Sequence, residues 1–239
     1  MQPTLSDSLL DYAGQSSPGR RRNHNEDALL CAPQLGLWAI ADGMGGHQCG
    51  EIASSLALSA LHKAIEDGEP LQVAVQQANQ AVVEEAVDDG MGTTLVAAQF
   101  NGADFELTWV GDSRAYLVSA NGIEQLTRDH SWVQMMIDAG ELKPAEAEGH
   151  AWRNIILRCL GREAPLELGT GSGTLSCVRA WARSFMRRWS WMWSWTPCAR
   201  ASSASPAWIC TASPCNRRVS GLSIATCSAM KPAAYPVIS

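Results

Sequence analysis

The sequence predicts an α+β fold, with helices gathered on antiparallel sheet rather than alternating with parallel strands. Two observations carry this. The apolar runs come as two strands, two long helices, a block of further strands and a short helix. The strand block is punctuated by Asn101-Gly102 and Asn121-Gly122, pairs that favour hairpins because a tight primed turn needs positive φ at both central residues.

Residues 27–32 (DALLCA) and 36–42 (GLWAIAD) are short apolar runs divided by a Pro-Gln-Leu-Gly turn, a hairpin that ends in a glycine-rich loop. From His47 to Asp67 the apolar residues Ile52, Leu56, Leu61 and Ile65 recur at spacings of four and five, the pattern of a helix with one buried face. Leu71 to Val87 continues in the same way. Asp88-Asp89-Gly90 is read as its end, with glycine taking the left-handed conformation. Strands follow over Thr93–Phe100, Asp104–Val110, Arg114–Ser119 and Ile123–Thr127, then a short helix over Ser131–Ala139 and a polar stretch through Gly149.

The chain has 239 residues, enough for one large domain or two small ones, and 46% of them are hydrophobic. A charged fraction of 18% and a net charge of -6 speak against a disordered polyelectrolyte and against a dedicated nucleic-acid binder. No stretch reaches the roughly 18–20 apolar residues of a membrane-spanning helix. The first residues lack the basic start and apolar run of a secretory signal, so a cytoplasmic location is expected.

Composition breaks within the chain. All 24 acidic residues lie between Asp7 and Glu167 with 10 of the 18 basic ones, a formal -14, whereas residues 168–239 hold no acidic residue, 8 basic ones, six of the ten tryptophans and five of the eight cysteines. Cys31, Cys49 and Cys159 stand singly in apolar surroundings and read as small buried hydrophobes. In the tail, Cys198, Cys210 and Cys215 lack the paired spacing of a zinc site.

Three acidic spots fall at strand ends: Arg22-Asn23-His24-Asn25-Glu26-Asp27, Ala41-Asp42-Gly43-Met44-Gly45-Gly46 and Gly111-Asp112-Ser113-Arg114. Taken singly, Asp42 and Asp112 are also good turn formers. Taken together, carboxylates beside glycines can approach a cation with little obstruction, and hard oxygen donors suit magnesium or manganese. The Gly43–Gly46 loop lacks the lysine and spacing of a P-loop. Arg20-Arg21-Arg22 read alone is a solvated charge cluster.

In order along the chain stand RxxNED (Arg22 to Asp27), ADGMGG (Ala41 to Gly46), GTT (Gly92 to Thr94), GDSR (Gly111 to Arg114), LTRDHS (Leu126 to Ser131) and NIILRCLG (Asn154 to Gly161). With these six segments the chain resembles the bacterial branch of the metal-dependent serine/threonine protein phosphatases, the PPM or type 2C family, over roughly residues 10–175. The resemblance implies a four-layer αββα sandwich and hydrolysis of phosphoserine and phosphothreonine in proteins, with two, in some relatives three, manganese or magnesium ions. It makes Asp42 the carboxylate that bridges two metals, the Gly43 carbonyl and Asp27 further ligands, Glu26 a ligand through water, and Asp112 a ligand of the third ion. Arg22 would hold the substrate phosphate, so Arg22 and Asp42 are the expected catalytic pair. Met44 stands where many eukaryotic relatives have a histidine, which leaves the general acid unassigned. Residues 131–165 correspond to the family's flap, which borders the active site and influences substrate choice; Trp132, Met135, Met136 and Trp152 within it fit that role and core packing equally, with packing the reading for the two methionines. Expected partners are phosphorylated serine/threonine proteins and a cognate kinase, with no nucleic acid and no membrane span, the chain acting as a monomer.

The resemblance stops at about Ser176. The family carries two further metal aspartates near its C-terminus, and this chain has none beyond Asp138, so fewer ions and impaired activity are expected. Residues 1–175 thus form an incomplete phosphatase-like domain and 176–239 an aberrant basic tail, poorly ordered or packed in place of the missing strands. Trp189 to Thr196 points to a reading-frame shift. Tryptophan and methionine have one codon each, and with AGC for serine the run read from each third base gives Glu-Leu-Asp-Val-Glu-Leu-Asp. Two other classes compete. One is a non-catalytic module that binds phosphoproteins through Arg22 and the acidic loop. The other is an adaptor acting through the tail, which Pro197, Pro206 and Pro214 interrupt.

Overall fold

Strand pairing sorts the chain into two antiparallel sheets. The structure, a computed structural model, describes residues 10–16, 25–45, 49–86, 90–119, 122–162, 165–175, 208–212 and 221–225. In chain order the elements are β1 (Asp11–Gln15), β2 (Asp27–Ala32), β3 (Leu37–Met44), α1 (Cys49–Glu66), α2 (Leu71–Glu85), β4 (Gly92–Thr93), β5 (Leu95–Asn101), β6 (Asp104–Val110), β7 (Arg114–Ser119), β8 (Gly122–Gln125), α3 (Trp132–Asp138), α4 (Pro144–Ala147), β9 (Gly169–Thr174), β10 (Trp208–Ala212) and β11 (Gly221–Ala225). The first sheet runs β2-β3-β5-β6-β9, with β4 on β3, and the second runs β1-β10-β11-β7-β8.

Period-two alternation explains how the layers stack. Leu37, Ala39 and Ala41 of β3, with Leu95 and Ala97 of β5, face α1 and α2. Trp38 and Ile40, with Val96, Ala98 and Phe100, face the second sheet, where Trp38 meets Phe100 edge-on at 5.3 Å and Tyr12 at 5.8 Å. Both faces are covered, so the first seven residues of β3 are buried. The α+β expectation holds, and three of the four layers implied by the resemblance are built by the described residues. None of the described helices is long and apolar enough to cross a membrane.

The buried face of α1 differs from the expected one. It consists of Gly50, Ala53, Ser54, Ala57, Leu58, Leu61, Ala64 and Ile65, while Ile52 is 45% exposed and Leu56 half-buried. Alanines on both helix and sheet let the backbones approach closely, so the small residues, not the largest apolar ones, mark the packed face. The glycine cap is also elsewhere. At the end of α1, Gly68 takes φ 92 and donates to the Ile65 carbonyl while Glu69 donates to that of Ala64, a Schellman closure. Helix α2 ends at Glu85, with Ala86 extended and bonded to Val82, and residues 87–89 lie outside the described residues.

In the first Asn-Gly hairpin, Asn101 is still paired, with Asp104, and Gly102 at φ 66 is the first loop residue. The turn therefore sits one residue later than expected. Strand β8 stops before Thr127, whose hydroxyl accepts from Ala115 N–H at 3.1 Å. The two flap methionines do not pack inward as expected: Met135 is 45% exposed, and α3, which carries both, has no buried residue. Cys159 is buried, and Cys31 and Cys49 are half-buried.

Candidate active site

The hairpin of β2 and β3 sets Asp27 directly opposite Asp42 in register. Asp42 is 2% exposed. Carboxylates opposite one another on neighbouring strands repel, which suits a position where a cation would lie between them. The turn beyond is held by main chain: Gly43 N–H donates to the Glu26 carbonyl at 3.0 Å, and Ser54 of α1 donates its hydroxyl to the same oxygen at 2.7 Å. A Cβ on Gly43 would stand 1.9 Å from the Gly50 carbonyl oxygen, and one on Gly50 would stand 3.2 Å from the Glu26 carboxyl carbon. Backbone contact there presses the first turn of α1 against the acidic loop and brings Glu26 to the helix N-terminus, where a negative charge is favoured.

Asp112 lies on the loop between β6 and β7, which is anchored from three sides. Ser113 is bonded to Thr94 through their hydroxyls at 2.7 Å. Gly111 exchanges two bonds with His130, donating its N–H to Nδ1 at 3.2 Å and accepting His130 N–H at 2.9 Å. Arg114 makes a forked bond to Asp129, Nε to Oδ1 at 2.8 Å and Nη2 to Oδ2 at 2.6 Å. Burial, helped by the nearby positive Arg158, pushes the His130 imidazole down to about 4, against the opposing charges of Asp129 and Glu167. Nδ1 is an acceptor, so the neutral ring carries its proton on Nε2.

The segment around Leu160 is structural. Thr93 and Leu160 exchange backbone bonds of 3.2 and 2.8 Å, and Gly161 N–H donates to Asn79 Oδ1 of α2 at 2.8 Å.

Of the residues singled out from sequence, the fold brings together Asp27, Asp42, Gly43 and Glu26 at one end of the first sheet, and joins the Asp112 loop to them through Thr94. Arg22, with His24 and His47, lies outside the described residues. Among the described residues, no three His, Cys, Asp or Glu side chains converge as a ready-made metal cluster. The donors present are all oxygens, the set that hard divalent cations take. The sequence reading missed the supports: Thr94 behind Asp42, and the pairings of Arg114 with Asp129 and of Gly111 with His130. All lie inside quoted segments, yet no local pattern reveals their pairing.

The protein phosphatase 2C family model matches residues 12–134, just over half of the chain. The chain belongs to that family. A serine/threonine protein phosphatase, PstP, of Mycobacterium tuberculosis is 41% identical over 163 residues, which is 64% of this chain and 31% of that protein. A serine/threonine phosphatase of Listeria welshimeri is 38% identical over 169 residues, 64% of this chain and 67% of its own length. This phosphatase 2C chain thus spans about a third of the mycobacterial relative and about two thirds of the listerial one. The solved catalytic domain of a serine/threonine phosphatase PstP, in complex with 2 manganese ions, superposes with a TM-score of 0.61 at 26% identity, covering 90% of this chain and 97% of that one.

Proposed function

We propose that this chain hydrolyses phosphoserine and phosphothreonine in proteins with the help of manganese or magnesium held at the β2–β3 end of the first sheet. The observation that carries the reading is the register of Asp27 opposite Asp42, with Asp42 almost wholly buried. Asp42 would bridge the ions, Asp27 and the Gly43 carbonyl would complete their oxygen donors, and Glu26 would act through water. Asp112 would hold a further ion. When bound, the ions neutralise the phosphate and make a water acidic enough to attack near neutral pH. Arg22, through its planar fork, orients the phosphate for in-line attack; the bond from phosphorus to the serine or threonine oxygen breaks, and water supplies the leaving oxygen's proton. No covalent enzyme intermediate is needed. We place this activity in the cytoplasm, opposite a serine/threonine kinase, in a monomer.

A second reading is favoured by one specific observation. No aspartate follows Asp138, and each missing carboxylate removes both a ligand and a charge that offsets the ions. Metal affinity and turnover are then lowered, and at the extreme the chain binds phosphoproteins without hydrolysing them. If the tail arises from a frame shift, the DNA around codon 176 holds a second open frame. Manganese-dependent phosphate release from p-nitrophenyl phosphate, measured beside Asp42→Asn, separates the readings. Release that needs manganese and vanishes in the variant supports the enzyme. Folded protein that binds a phosphothreonine peptide without release, and loses binding in Arg22→Ala, supports the binding module.

A further inference from the structure

The register of β3 with β5 and with β4, carried across the gap between them, sets Asp42 opposite Thr94. A regular antiparallel pair exchanges two backbone bonds. Here one is regular, Thr94 N–H to the Asp42 carbonyl at 2.9 Å. The other is replaced: Asp42 N–H donates to the Thr94 hydroxyl at 3.1 Å, and the Thr94 carbonyl takes the hydroxyl of Thr93 at 2.9 Å. The substituted acceptor differs from a carbonyl in one respect. A hydroxyl can accept from Asp42 and still bond a second hydroxyl, and Thr94 Oγ1 does so with Ser113 at 2.7 Å. The methyl of the same side chain lies against Gly111, where a Cβ would come within 2.5 Å of Thr94 Cγ2. Thr94 therefore grips the residues on both sides of Asp112 while holding the main chain of Asp42, and it does so with no exposed surface.

We infer that Thr94, through Ser113, is a positioning residue that sets the spacing between the loops of Asp42 and Asp112, and so the cation affinity of the acidic end of the sheet to which both loops contribute. The inference rests on the metal reading above, though the bridge itself does not. Hydroxyl and methyl have separable tasks. Thr94→Val keeps the shape and the contact with Gly111 but returns no acceptor to Asp42 and no bond to Ser113. Thr94→Ser keeps the hydroxyl and loses the methyl.

The test is titration of the metal-free full chain with manganese, followed by electron paramagnetic resonance, with thermal unfolding of each variant recorded alongside. Thr94→Val and Ser113→Ala should each weaken binding about tenfold or more, out of proportion to their change in melting temperature. Thr94→Ser should restore most of the affinity. Thr94→Val combined with Asp112→Asn should be clearly less than multiplicative, because both act through one loop. Affinity unchanged in Thr94→Val, or multiplicative effects in the double variant, would overturn the inference. A wild-type chain that takes up no manganese defeats the metal reading instead. The bridge is then judged by amide hydrogen exchange, where Thr94→Val must speed exchange at Asp42 and across Gly111–Ser113 together; acceleration at Asp42 alone sinks it.

Discussion

The two sheets are assembled from the chain in different ways. The first uses residues 27–174, with β2–β3 and β5–β6 closed by short turns and α1 and α2 packed on its face. The second takes β1 from the start, β7 and β8 from the middle and β10 and β11 from near the end, with the last two forming its centre. Local pairing costs little loop-closure entropy, whereas the centre of the second sheet requires contacts across more than half of the chain. The comparison with relatives divides in a related way. Sequence similarity to the mycobacterial phosphatase reaches 64% of the chain, while superposition on a solved catalytic domain reaches 90%. Backbone ladders can form where side chains no longer correspond.

The sharpest test of this contrast is removal of residues 176–239. It takes β10 from β1, whose strand partner it is, and β11 from β7. We expect cooperative unfolding to disappear and soluble aggregates to form, read by differential scanning calorimetry and size-exclusion chromatography; a sharp transition from a monomer would show that the first sheet stands alone. Next in size are core truncations on the two faces of the first sheet. Trp38→Ala, between the sheets, should cost about 3–5 kcal/mol, and Leu61→Ala, under the helices, about 2–5 kcal/mol, measured by urea unfolding. If the inter-sheet contact forms only weakly, Trp38→Ala falls well below that range while Leu61→Ala does not.

A smaller effect is expected at the joint between the sheets. Asp129→Asn keeps the shape of the side chain but removes the charge from the forked bond to Arg114, whose own side chain is about one-third exposed, and should cost about 1.5–3 kcal/mol. The smallest effect at neutral pH is at His130, and it grows on acidification. The His130 pKa is lowered in the fold, so below the unfolded value near 6.5 the unfolded chain binds the extra proton and stability declines. The decline should run from about pH 6.5 down to about 4 and then level off for this group. His130→Asn, which can still offer an oxygen to Gly111 N–H, should flatten that part of the melting-temperature profile.

Much of the first sheet was legible because its strands are short apolar runs and its turns contain glycine, whereas β9, with the sequence GTGSGT, has no apolar run to mark it. The acidic spots were legible because carboxylates beside glycines at strand ends are chemically distinctive. The packed face of α1 was misread because alanine carries little weight in a search for large apolar residues, although alanine on both surfaces is what permits close packing. The support of Asp42 by Thr94 was invisible for another reason: a side chain replacing one backbone acceptor leaves no trace in hydrophobic periodicity. β10 and β11 carried no strand signal, because their place is defined by ladders to β1 and β7, far away in sequence.

The contact between Gly43 and Gly50 has an evolutionary consequence. A side chain at Gly43 would overlap the Gly50 carbonyl, while one at Gly50 would crowd the Gly43 carbonyl carbon and the Met44 nitrogen. Relief at Gly43 would require moving a strand end and a helix start apart, whereas at Gly50 the neighbours need give only a few tenths of an ångström. Gly43 is therefore the position of the pair that selection can least relax, and a second substitution at Gly50 would crowd the same gap further rather than rescue it.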